Sequence, residues 1–146
     1  MRTKALYCFI FACTIQPLKF ASAHYPSALA RVEKVVIKTI NMAAKMDPPL
    51  SCEQFPNTRF HDLQVYEITS ESEICRIVSY VEDSKASTIR NVDTRAKIII
   101  YYRNGWQDSI CLNAMKYFVL NGESMEFQTT ELAIYIDSLY QNSRVR

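Results

Sequence analysis

The sequence predicts an all-α protein, a small single-domain bundle of about five helices with low disulfide content. Three observations point there. Apolar residues recur at helical spacing between Ser27 and Met46. Ser70-Glu71-Ser72-Glu73 has the form of a capping box, followed by a second apolar stripe. The chain also holds only 2 glycines, too few for a glycine-punctuated β-sandwich.

Residues 1–23 read as a targeting segment rather than as part of the fold. Arg2 and Lys4 supply a positive start, Ala5 to Cys13 an apolar run, and Ala21-Ser22-Ala23 the small residues that signal peptidase requires. Cleavage is expected before His24. The apolar run is too short to span a bilayer, and Gln16, Pro17 and Lys19 end it. The mature domain is then residues 24–146, one secreted helical domain, with no integral membrane span.

Its first predicted helix covers 27–46, with Leu29, Val32, Val36, Ile40 and Ala43 on one stripe and Lys34, Lys38, Asn41 and Lys45 on the other. Asp47-Pro48-Pro49 stops it. Residues 47–58 form a proline-bearing loop that contains Cys52. Leu63 to Ile68 fits a short strand or a helix end. The capping box opens a helix over 71–83 that buries Ile74, Ile77, Val78 and Val81. Residues 84–94 are polar connector. Ile98-Ile99-Ile100-Tyr101-Tyr102 is strand-prone, and Asn104-Gly105 suits either a hairpin turn or a helix C-terminus. With no comparably strand-like segment to pair with, helix is favoured for 95–106. Asp108 is expected to cap a helix to Leu120 with Leu112, Met115 and Val119 inward, stopped by Asn121-Gly122. A last helix over 125–140 should bury Met125, Leu132, Tyr135, Ile136 and Leu139.

Charge narrows the partners. The chain has 17 Lys+Arg against 15 Asp+Glu, and three of the basic residues (Arg2, Lys4, Lys19) lie in the targeting segment. No concentrated basic surface remains, which argues against nucleic acid. Of 5 cysteines, Cys8 and Cys13 leave with the leader. Cys52, Cys75 and Cys111 stay, enough for one disulfide and one further thiol in an oxidising compartment.

Catalysis finds no support. The 2 histidines are His24, at the new N-terminus, and His61. Neither sits in a nucleophile–base signature, and Cys52 with His61 lacks the second short-spaced pair of a zinc site. The expectation is a non-enzymatic protein with no metal and no cofactor. Two readings remain: a secreted interaction protein that binds an extracellular or host protein, and a carrier of small apolar ligands. For the carrier, the aromatic-rich 98–106 and 115–140 segments nominate Tyr101, Tyr102, Trp106, Met115, Phe118 and Tyr135 as cavity-lining residues.

The layout resembles the elicitins and elicitin-like secreted proteins of oomycetes. A long helix precedes Cys52, Cys75 follows within a helix containing Ile77-Val78-Ser79, and Tyr102-Arg103-Asn104-Gly105-Trp106 precedes Cys111, similar to the family's Tyr-x-Asn-Gly-aromatic stretch. The resemblance implies an all-α fold, an effector- or elicitor-like role outside the producing cell, and binding of a sterol or fatty acid. It allows a bridge Cys52–Cys75 or Cys75–Cys111. The first is preferred, because it closes the shorter loop and pins the proline loop to the capped helix.

Overall fold

A computed structural model describes residues 32–44, 46–55 and 62–144. The predicted leader and its cleavage site lie outside the described residues. The element order is β1 (Val32–Thr39), β2 (Gln64–Ile68), α1 (Glu71–Glu82), β3 (Lys85–Ala86), β4 (Ala96–Tyr102), β5 (Gln107–Leu112), β6 (Tyr117–Leu120), β7 (Glu123–Glu126) and α2 (Glu131–Arg144). The seven strands form one sheet in the order β2-β1-β4-β5-β6-β7-β3, with every pair antiparallel. The predicted all-α bundle is therefore overturned, as is the all-α fold that the elicitin resemblance implies.

The correction has a physical cause in β1. Val32, Val36 and Ile40 lie at helical steps, but Val35, Ile37 and Thr39 lie at steps of two; every member of the second set is fully buried, whereas Val36 of the first is only half-buried. Valine, isoleucine and threonine lose rotamer freedom against a helix turn and pack well on a pleated surface, so composition decides between the two periods. The 95–106 helix is likewise replaced by β4 and a hairpin. Its missing partner is β1 itself, with Val35 opposite Ile100 and Ile37 opposite Ile98. Gly105 takes φ +84° in that turn, a value open to glycine at little cost.

The predicted 108–120 helix is two strands. Ile110, Leu112, Phe118 and Leu120 are buried at steps of two, and residues 113–116 make the turn between them. Met115, expected inward, is 58% exposed. Asn121 (φ 49°) and Gly122 (φ 95°) form the β6–β7 hairpin turn rather than a helix stop; both left-handed positions match the Asn-Gly preference of tight hairpins. The last predicted helix starts later: residues 123–126 are β7, and α2 begins at Glu131.

Helix α1 forms where expected and buries Ile74, Ile77, Val78 and Val81. Its capping box does not form. Ser70 has no side-chain cap bond and pairs instead with the Ser72 hydroxyl at 3.0 Å. Both helices cover one face of the sheet, where their apolar stripes join Val35, Ile37, Ile98, Ile100, Phe118 and Met125 in a single core. Phe118 stacks on Phe127 with centroids 4.0 Å apart. Tyr66 donates to the Leu139 carbonyl at 2.9 Å, and Tyr140 to Asp62 Oδ2 at 2.9 Å, so α2 is fastened to the β2 side.

Candidate interaction face

Because side chains alternate across a strand, the residues between the core positions point away from the helices. The register sets them in rows. One row runs Val65, Lys38, Lys97, Cys111 and Val119 across five strands. The next runs Glu67, Val36, Ile99 and Ser109, and a third pairs Lys34 with Tyr101 and Gln107. Val36, Ile99, Tyr101, Val119 and Tyr117 are half-buried here, and Val65 at the β2 edge is 58% exposed. The helix-free face is thus apolar at its centre and lysine-bearing around it.

Two of its charges are neutralised locally. Lys34 Nζ lies 2.9 Å from Glu67 Oε2 and 5.5 Å from the centre of the Tyr101 ring; the hydrogen bond to Glu67 raises the lysine's pKa. Lys116 is ion-paired with Glu126, and that bond holds the Glu126 carboxyl below its usual range. Lys38 and Lys97 are different. They stand directly opposite each other on β1 and β4, and neither has an ion-pair partner among the described residues.

The proline loop is tied to one end of this face. Cys52 is bridged to Cys111, with Cα atoms 5.4 Å apart. Asp93 accepts the Leu50 N–H at 3.0 Å, and the Leu50 carbonyl accepts the Thr94 N–H at 2.8 Å. Asp93 also binds Arg95. Arg95 is buried, and its Nη1 has no hydrogen-bond partner. The expected Cys52–Cys75 pairing, and the alternative Cys75–Cys111, are corrected by this bridge. Cys75 lies on α1 and is not bridged, whereas Cys111 faces the other side of the sheet. Layers that pack on opposite sides of a sheet are separated by more than a disulfide can reach.

The six nominated cavity residues are not gathered into one place. Tyr101 is on the helix-free face; Tyr102 and Phe118 are on the core face. Tyr102 donates to Asp108 Oδ2 at 2.6 Å, and Asp108, expected to cap a helix, is instead buried and also accepts from Asn121 at 2.7 Å. Trp106 and Met115 flank β5 at its two ends, 57% and 58% exposed. Tyr135 is on α2, where its hydroxyl donates to Glu73 at 3.0 Å and its ring lies 5.2 Å from the Arg76 guanidinium.

His24 and His61 lie outside the described residues. Among the described residues no group of three or more His, Cys, Asp or Glu could hold a metal ion, and no helix is long and apolar enough to cross a membrane. The Lys38–Lys97 pair is invisible when both segments are taken as helices, because only the strand register sets the two side by side. The signal was present in the alternation Val35-Val36-Ile37-Lys38 and Ala96-Lys97-Ile98-Ile99. Comparison of the chain with family models, with curated proteins and with solved structures returns no match.

Proposed function

We propose that the chain is a secreted, non-enzymatic interaction protein that binds an extracellular protein through the helix-free face of its sheet. The observation that carries this is the asymmetry of the sheet. Both helices lie on one side, and the other side keeps Val36, Ile99 and Val65 within reach of solvent beside charged neighbours. An apolar centre with a polar surround is the anatomy of a protein-binding surface. The Cys52–Cys111 bridge is compatible with an oxidising compartment, and the leader-like residues 1–23 supply the route there.

Site-specific photo-crosslinking in the medium that bathes the producing cells tests the reading. A crosslinker at position 99 should give one discrete adduct, and the same crosslinker at Ile134, which is 63% exposed on α2, should give none. Equal labelling from both positions, or adducts from position 134 alone, would remove the helix-free face as the binding surface.

A further inference from the structure

We propose that Lys38 and Lys97 together form a carboxylate clamp for an acidic–apolar segment of the partner protein. The inference rests on the reading that the helix-free face binds a protein, and it names the chemistry of what binds.

Like charges directly opposite on neighbouring strands repel, and natural sheets tend to place opposite charges or neutral residues there. Lys38 and Lys97 hold that arrangement with no ion-pair partner among the described residues. Nor do the residues outside the described ones contain an acidic side chain. All 15 acidic side chains fall among the described residues, and none falls in 1–31, 45, 56–61 or 145–146. Glu67, Glu126 and Asp93 are bound to Lys34, Lys116 and Arg95. Without Arg2, Lys4 and Lys19 of the predicted leader, 14 Lys+Arg face 15 Asp+Glu, so the paired lysines are not part of a general basic excess.

Geometry sets what complements it. Val36 and Ile99 are paired one row along the face from the lysines, two residues away on each strand, or roughly 7 Å. An extended segment with an acidic residue at one position and an apolar one two residues later presents its side chains at that same spacing. Its carboxylate would sit between two ammonium groups while its apolar side chain covers Val36 and Ile99. Such charge-assisted contacts weaken as salt rises.

The test uses the full mature protein, labelled with nitrogen-15, and three blocked octapeptides. One is Asp-Ser-Leu-Ser-Asp-Ser-Leu-Ser; the second carries Asn in place of Asp, and the third carries Lys. The acidic peptide should shift amide signals confined to residues 34–38 and 97–101, and should bind about tenfold more weakly to Lys97→Gln and to Lys38→Gln. Lys38→Glu gives a folded control: it creates an oppositely charged cross-strand pair, so its melting temperature should rise while the acidic peptide no longer binds. If all three peptides bind this face equally, the face is a docking surface but the clamp is refuted. Binding to phosphatidylserine vesicles with no response to the acidic peptide overturns the proposal in favour of a membrane surface. No response to any peptide or vesicle overturns both the clamp and the face.

Discussion

Removing the bridge with Cys52→Ser and Cys111→Ser together should cost the fold a large part of its stability. The two cysteines are 59 residues apart in sequence. Opening a loop of that length returns chain entropy to the unfolded state worth about 4 kcal/mol at room temperature. Small domains are stable by only about 5–15 kcal/mol, so the loss is a substantial fraction of the total. For a domain of this size it corresponds to a fall in melting temperature of about 15 °C. Cys111 is fully buried, so replacing both sulfurs together avoids leaving one thiol without its partner. The assay is thermal and urea unfolding followed by far-UV circular dichroism, with Cys75→Ser as the control. Cys75 is outside the bridge, so its substitution should change stability by no more than about 0.5 kcal/mol. A loss below about 1 kcal/mol for the double variant, or a peptide map that links Cys75 to either partner, would refute the reasoning.

Three further outcomes are expected. Burial, and then the bond to Glu73, push the Tyr135 hydroxyl up to about 12; because the folded value lies above the unfolded value near 10, the associated stability is present below pH 10 and is lost as pH rises through about 12. Tyrosinate absorbance at 295 nm should therefore show a late-titrating contribution that is lost in Tyr135→Phe. Phe118→Ala should destabilise by about 3–5 kcal/mol in urea unfolding, since this fully buried ring stacks on Phe127. Gly122→Ala should cost about 1 kcal/mol in the same assay, from backbone strain alone, because φ is +95° and an added Cβ would meet nothing within 4 Å.

Helix α1 was legible because its two signals agreed: a polar start at Ser70 and an apolar stripe at steps of three and four with no competing period. Its cap was not, since Glu73 is drawn to Tyr135, 62 residues away. In β1 the apolar residues satisfy both periods at once; the β-branched composition leans towards strand, and pairing with β4 and β2 fixes it. The Ile98-Ile99-Ile100 run is strand-like on its own, but a strand needs a partner, and that partner, β1, carries the ambiguous period. Both Asn-Gly pairs, at 104–105 and 121–122, marked chain reversals correctly without saying which kind, because the left-handed glycine serves helix ends and hairpins alike. The binding face depends wholly on register. Lys38 and Lys97 are 59 positions apart, and nothing local to either shows that the strands bring them together.

The most direct test of the central claim, that one face of the sheet is covered by helices and the other left for a partner, is hydroxyl-radical footprinting of the free mature protein. Tyr101 and Val119 should be modified faster than their neighbours Ile100 and Phe118, which are fully buried, and adding the acidic octapeptide should protect Tyr101 selectively. Equal protection of both sets in the free protein would contradict the account, because the second face would then already be covered.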